Sequence, residues 1–345
     1  MTFEYERVLT PASGLRLHLN ENTAGCSPAV MAAMQTVTRH DLATYPDYTV
    51  ATAACARRLG VDVDSLLLTN GLDEGILAIA VAGLRNGSAS SPFEAVVVVP
   101  AFDMYAACTD AAGDRVIQVP LGPGFTFPLE NVLEALTART RIVWLTNPNN
   151  PTGLLIPRDA IARIAAEAPD AIVMVDEAYA DFCPETLLGS ALLARSPNVV
   201  VGRTFAKAYG LAGLRVGALV GAPETLAPLR RVVPPYSVNA CVAVVLPAAM
   251  ADTAYYEWYL GEVAASRALL YAEFDRLGIE HWKSAANFVL VRFGEGCGRI
   301  AAGVAARGIY VRDRSKEAGC GGCLRVTAGV VEHTRAFITA LGEVL

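Results

Sequence analysis

Only three lysines occur among the 28 basic residues of this 345-residue chain: Lys207, Lys283 and Lys316. Lys207 stands in the apolar, glycine-punctuated run 204–215, TFAKAYGLAGLR. Where arginine supplies nearly all positive charge, a lysine in such a run points to chemistry that arginine cannot do. A primary amine can lose its proton and condense with an aldehyde, and a guanidinium cannot. Thr204, three residues before the amine, and Arg215, eight after it, suit a phosphate. Together they suggest pyridoxal 5'-phosphate (PLP) held on Lys207 as a Schiff base.

Three further motifs carry polar groups that such a ligand could use. In 173–179, VMVDEAY, Asp176 follows an apolar stretch and is expected to be partly buried. A buried carboxylate needs a cationic partner. A protonated pyridine nitrogen would serve, and the pairing would keep the ring electron-withdrawing. The alternative is a carboxylate capping the next helix. Tyr179, one turn later, could reach the phenolic oxygen of the ring together with Asn150. Asn150 belongs to 147–153, NPNNPTG, where two prolines fix the backbone and glycine ends the turn. In 68–74, LTNGLDE, a strand ends and a helix begins near Leu72 and Asp73, whose free amides could hold a phosphate.

These motifs need a frame. Short apolar runs at 66–69, 95–99, 115–119, 142–146, 171–175, 199–202 and 216–220 alternate with amphipathic segments. The segments at 50–59, 73–82, 105–112, 129–135, 158–168 and 223–230 read as helices. That alternation predicts a mostly parallel seven-stranded sheet with helices on both faces, and nearly continuous apolar strands fit a sheet covered on both sides. The motifs fall at the C-terminal ends of the strands, where open α/β sheets bind ligands. Beyond Pro234 and Pro235, residues 241–277 read as one or two long helices with Asp252 and Thr253 as a break and cap. Strands at 287–293, 309–312 and 324–327 and helices at 299–307 and 332–345 complete a smaller α+β domain. The expected division is 41–252 for the large domain, with 1–40 and 253–345 forming the small one.

Composition narrows the class. The chain is 53% hydrophobic and 18% charged, as in a compact globular protein. No apolar run approaches the ~18 residues of a membrane span. The acidic start, Met1 to Arg7, has no signal-peptide pattern, so a cytoplasmic protein is expected. A net charge of -6 without a basic block argues against nucleic acid. Eight cysteines are dispersed, and only Cys320 and Cys323 are close. No second such pair or suitably spaced histidine accompanies them, so no metal is expected. They read as a glycine-rich loop entering a strand.

Asn150, Asp176, Tyr179, Thr204, Lys207 and Arg215 follow one another on successive strand ends. In this the chain resembles the fold-type I PLP-dependent aminotransferases, and more narrowly their histidinol-phosphate aminotransferase branch, from about residue 17 to 329. NPNNPTG, VDEAY and TFAKAYGLAGLRVG carry the resemblance. It implies that Lys207 holds PLP and moves the proton, and that Asp176 pairs with the pyridine nitrogen. It also implies that Asn150 and Tyr179 bond the ring oxygen, and that Phe102 stacks on the ring, with Tyr105 as its rival. The phosphate would rest on the Leu72 and Asp73 amides, Thr204 and Arg215. Arg325 matches the arginine that binds the anionic group of the substrate, and Arg312 a second one. Tyr45 matches a tyrosine contributed across a dimer interface, so a homodimer with shared active sites is implied. In the loop 19–28, Thr23 and Ala24 stand where the branch usually carries proline and then an apolar or aromatic residue. That departure predicts a wider or less apolar pocket.

The implied reaction moves an amino group to a 2-oxo acid such as 2-oxoglutarate. The donor would be histidinol phosphate, or an aromatic or other amino acid. A PLP-dependent decarboxylase of the threonine-phosphate type, or another biosynthetic PLP enzyme, would use the same scaffold. A catalytically silent ligand-binding homologue is the reading from another class.

Overall fold

The structure is a computed structural model that describes residues 11–85, 87 and 90–345. The stretch Met1 to Arg7 lies outside those residues. Among the described residues, eleven strands form two sheets: β1 (Leu15–Leu17), β2 (Leu66–Thr69), β3 (Glu94–Val99), β4 (Arg115–Pro120), β5 (Thr140–Thr146), β6 (Ile172–Asp176), β7 (Val199–Thr204), β8 (Gly217–Gly221), β9 (Phe288–Arg292), β10 (Ile309–Asp313) and β11 (Cys323–Thr327).

The large sheet has the order β2-β8-β7-β6-β5-β3-β4. Pairing is parallel from β7 through β4, whereas β8 runs antiparallel to both β7 and β2. Strand residues divide alternately between two cores. Val143, Leu145, Val173, Val175 and Val201 face the helices Thr49–Leu59, Arg158–Glu167 and Ala240–Ala251. Ile142, Trp144, Met174 and Val200 face the helices Leu72–Leu84, Met104–Ala111 and Pro223–Arg230. The period-2 alternation of a strand therefore feeds apolar side chains to both faces, which explains the absence of a polar face in these sequences.

Asp252 separates two helices, Ala240–Ala251 and Thr253–Arg276, and its side chain caps the second by accepting from the Tyr255 amide at 3.1 Å. The small sheet has the order β1-β10-β11-β9, with β1 parallel to β10 and the other pairs antiparallel. The first strand of the chain thus joins the last part of it. Cys323 opens β11, and Cys320 and Cys323 are buried free thiols packed with Phe125 and Leu290. Burial pushes both thiols up, to about 12 and about 11 respectively. Among the described residues, no helix is long and apolar enough to cross a membrane.

A buried ionic cluster clamps β6 and β7 to the long helix. Arg203 on β7 pairs with Glu177 at 3.1 Å and with Asp181, and Tyr256 of the helix Thr253–Arg276 donates to Asp181 at 2.9 Å. Burial opposes the charge on Arg203, but Asp181 and Glu177 outweigh it and raise its pKa. Arg203→Ala would leave two buried carboxylates without a cation, at a cost of about 3–5 kcal/mol. Arg163→Ala breaks only an exposed pair with Glu130, worth at most ~1 kcal/mol. Thermal unfolding of the two variants should show a much larger fall in midpoint for the first. Equal falls would mean that the cluster does not hold the core.

Candidate active site

A cavity of about 530 Å³ opens between the C-terminal edge of the large sheet and one face of the small sheet. Parallel strand ends supply its floor. Asp176 ends β6, Thr204 ends β7, Asn150 and Tyr179 lie in the loops after β5 and β6, and Lys207 follows β7. β10 and β11 supply Arg312 and Arg325 from the roof.

Asp176 is buried, and its Oδ2 accepts from the Tyr105 hydroxyl at 2.5 Å while Oδ1 accepts from the Ala178 amide at 2.8 Å. Burial pushes its pKa up to about 6 against the pull of those two hydrogen bonds. A carboxylate in that state gains from a cationic ligand atom. Tyr105 cannot also be a free stacking ring: it is buried, lies parallel to Trp144 at 5.2 Å, and takes a hydrogen bond from Thr146 at 3.1 Å. Phe102, half-buried, lines the cavity and meets Tyr105 edge-on.

The phosphate-suited groups converge at one end. The helix Leu72–Leu84 starts at Gly71 with no side-chain cap, which leaves first-turn amides open to an anion. Arg215 reaches across to Asp73 at 2.8 Å. A Cβ on Gly71 would come within 2.6 Å of the Arg215 guanidinium, and Gly71 has a φ of +74°, so glycine is required twice over. Thr204 turns its hydroxyl to the Ala206 amide at 3.2 Å.

Of the asparagines in NPNNPTG, two build the loop. Asn147 accepts from the Ile156 amide at 2.8 Å, and Asn149 holds Thr152 at 2.8 Å and the Pro100 carbonyl at 3.1 Å. Asn150 alone faces the cavity. Its Oδ1 accepts from Arg325, which has only donors, so its Nδ2 is the atom left to give. Tyr179 accepts from the Asn20 amide at 3.1 Å. The Lys207 amine donates to the Leu19 carbonyl at 2.9 Å and lies 6.0 Å from the centre of the Tyr179 ring.

Arg325 is buried, with Asn150 and the His18 carbonyl (2.7 Å) as its hydrogen-bond partners and its Nε unbonded. Burial, followed by the charge of Arg314, lowers its pKa to about 10. A buried cation held only by neutral oxygens has room for an anion. Arg312 is register partner to Arg325 across β10 and β11. Tyr45 does not line this cavity; it is 79% exposed and stacks on Tyr236 at 4.4 Å.

Several lining residues escaped the sequence reading: Arg16, His18, Glu21 and Arg314. Asn20, which positions Tyr179, escaped too. The polar run 18–22 was the available signal, but nothing local tells which of its members point inward. Thr23 bonds the Val330 amide at 2.9 Å, and a Cβ on Gly329 would collide with it, so the departing loop position is anchored to the small domain. A second cleft of about 640 Å³, lined in part by Glu21, Asn22 and Thr23, lies beside the first.

The sequence matches the aminotransferase class I and II family over residues 12–341, and the chain belongs to that family. Within it, similar curated relatives include enzymes named histidinol-phosphate aminotransferases, the branch that the motifs resembled. Histidinol-phosphate aminotransferase 2 of Ralstonia nicotianae is 36% identical over 346 residues, covering 98% of this chain and 90% of its own. Histidinol-phosphate aminotransferase 1 of Thiobacillus denitrificans is 37% identical over 343 residues, covering 98% and 87%. The crystal structure of histidinol-phosphate aminotransferase from Sinorhizobium meliloti in complex with pyridoxal-5'-phosphate superposes with a TM-score of 0.86 at 26% identity, covering 96% of this chain and 90% of that one.

The Asp176 environment has a consequence for stability. Its folded pKa of about 6 lies above the ordinary 3.8, so the fold binds this proton more tightly than the unfolded chain does. Protein stripped of cofactor therefore loses stability as pH rises from about 4 through about 6, and the loss is complete above that. Asp176→Asn removes the titration. In thermal unfolding of stripped protein, the variant should gain on wild type across that window. A gap independent of pH would mean that the carboxylate is not desolvated.

Proposed function

We propose that this chain is a PLP-dependent aminotransferase that moves an amino group from a donor with an anionic tail, histidinol phosphate foremost, to a 2-oxo acid such as 2-oxoglutarate. An aromatic or other amino acid is the next donor. The observation that carries this reading is the opposition of an uncompensated buried carboxylate, Asp176, and a carboxylate-free buried arginine, Arg325, across one cavity with Lys207 at its side.

The residues fit PLP. The open amides of the helix Leu72–Leu84, with Thr204 and Arg215, suit its phosphate, and the glycine at 71 leaves Arg215 space to close on it. Asp176 suits the pyridine nitrogen, Asn150 Nδ2 and the Tyr179 hydroxyl suit the ring oxygen, and Phe102 suits the ring face. When bound, PLP supplies an aldehyde carbon for condensation with amines and a cationic ring that draws electrons from the substrate. Lys207 gives the amine that holds the cofactor, and once released by the donor it is the base and acid that shifts the proton. Asp176, kept anionic by a cationic partner, holds the ring charge in place. Arg325, with Arg312 beside it, orients the tail of the donor by ion pairing.

The same reading takes residues 41–252 as the large domain and 1–40 with 253–345 as the small one. It also takes the enzyme as a cytoplasmic homodimer. Met31, Leu42, Tyr45, Val50 and Tyr236 are large apolar side chains left exposed, which supports a second subunit and a Tyr45 that acts in the site of the partner.

Lys207→Ala should remove the visible absorption of the lysine-bound cofactor and reduce turnover by several orders of magnitude while the fold survives. Turnover near the wild-type rate would sink the mechanism. Adding histidinol phosphate to wild type without an oxo acid should convert the cofactor spectrum to the amine form. If carbon dioxide appears instead, the decarboxylase alternative holds; if no donor changes the spectrum, the silent-homologue reading holds. Mixing Tyr45→Phe subunits with Lys207→Ala subunits should restore part of any activity lost by each, if sites are shared. Absence of rescue after verified subunit exchange would place Tyr45 outside the site.

A further inference from the structure

His18 is the most oddly placed polar group in the structure. It is 3% exposed, and among the described residues neither ring nitrogen has a hydrogen-bond partner. An imidazole always carries at least one N–H and, when neutral, one lone pair. Leaving both unmet in the interior costs free energy that a merely structural residue at this position would avoid. Leucine precedes and follows it in the chain, just past the end of β1, so an apolar residue would suit the position as well.

Sheet geometry says where the ring sits. Leu17 points into the large core, so the alternation along the chain sets Arg16 and His18 on the opposite face. Arg16 is opposite Tyr310 in the β1–β10 register, Arg312 is two residues beyond Tyr310, and Arg325 is opposite Arg312. One face of the small sheet therefore gathers Arg16, His18, Tyr310, Arg312 and Arg325, and the cavity lining includes the histidine and all three arginines. Tyr310 meets the His18 ring edge-on at 6.3 Å. Arg16 is paired with Glu21. In the same cavity lining, the Nε of Arg325 is also buried and, among the described residues, unbonded. Two orphaned donors on one wall of a cavity indicate a ligand rich in acceptor oxygens.

We propose that His18 is a specificity-determining residue whose ring N–H bonds an oxyanion in the tail of the amino donor, beside Arg325. This rests on the aminotransferase reading and goes beyond it by adding a neutral donor to the arginines. The electrostatics agree. Burial, then Arg16, Arg312 and Arg325, lower the His18 pKa to about 4, so the ring is neutral at pH 7. A neutral ring adds a directional donor without a further positive charge to a wall that is already cationic. An anion on those arginines offsets the field that lowers the pKa, so its arrival raises the basicity of the ring.

The test uses holoenzyme in which the four histidines, His18, His40, His281 and His333, carry ring nitrogen-15. Cofactor phosphate fills the site at the helix Leu72–Leu84, and inorganic phosphate is the probe. The signals missing from His18→Asn protein identify His18. Titration with phosphate should shift those signals more than the other three, and should move the His18 protonation midpoint upward. Signals that stay put at phosphate concentrations that inhibit turnover competitively overturn the proposal.

Kinetics supply the second arm. His18→Asn and His18→Gln should raise the KM for histidinol phosphate by about tenfold, the scale of one hydrogen bond to a charged group, with kcat within about twofold. The KM for histidinol, which has no phosphate, should not change. Equal losses with both donors would show a structural role and overturn the proposal. If wild type converts no donor at all, the aminotransferase reading fails, while the nitrogen-15 titration still decides whether His18 meets an anion.

Discussion

Burying a charge away from water is tolerable only when something answers it, and this structure answers its charges unequally. Arg203 is met by two carboxylates and Tyr256 completes the set, so the cluster is closed and serves to clamp strands to a helix. Asp176 and Arg325 are as deeply buried, yet each is held only by neutral groups: a phenol and an amide for the acid, an amide oxygen and a carbonyl for the base. Those neutral partners orient the charge without cancelling it. The pKa values follow, with the acid pushed up to about 6 and the base down to about 10. Both shifts have the same cause: burial disfavours the charged form of each group, and a ligand of opposite charge would favour it again. The interior spends stability at these two points, and function explains why.

The architecture makes that unequal treatment possible. A parallel sheet delivers all its C-terminal strand ends to one edge, and its two apolar faces keep those ends at fixed spacing. β5, β6 and β7 are neighbours in register, so the Asn150 loop, Asp176 and Thr204 cannot drift apart without breaking the ladder. The opposite wall belongs to a second sheet, built from the first strand of the chain and strands beyond residue 287. Because β1 is recruited from the far end of the chain, the loop that follows it brings His18 and Leu19 to the cavity lining and Asn20 to Tyr179. Leu19 holds Lys207 and Asn20 holds Tyr179, so the wall touches the chemistry on the floor directly.

Much of this was legible in the sequence. The seven strands of the large sheet were readable because each is a short apolar run between helical segments, and the break at Asp252 because a capping residue has a local signature. Lys207, Asp176 and Asn150 were readable because lysine, aspartate and asparagine are costly or unusual at strand ends. β1 was not, since three residues that pair with β10 across nearly 300 positions leave no periodic trace. Tyr105 was weighed as a stacking ring, and only the fold reveals that its hydroxyl turns to Asp176. Arg203 and Glu177 sit beside named site residues, but their pairing depends on β6 and β7 being neighbours. His18 looked like one polar residue in a polar run, and its isolation became visible only when the fold set it among three arginines with its ring nitrogens unbonded among the described residues.

Asn150 shows how closely the two ends of the site are joined. Arginine has no acceptor, so the bond from Arg325 fixes which way the amide faces: oxygen to the roof, nitrogen to the cavity. The residue that would meet the tail of the donor thereby sets the orientation of the residue that would meet the ring oxygen of the cofactor. An anion that draws Arg325 toward itself would change its hold on Asn150. In the proposed roles, tail and ring would be met by one connected unit spanning the β5 loop and β11.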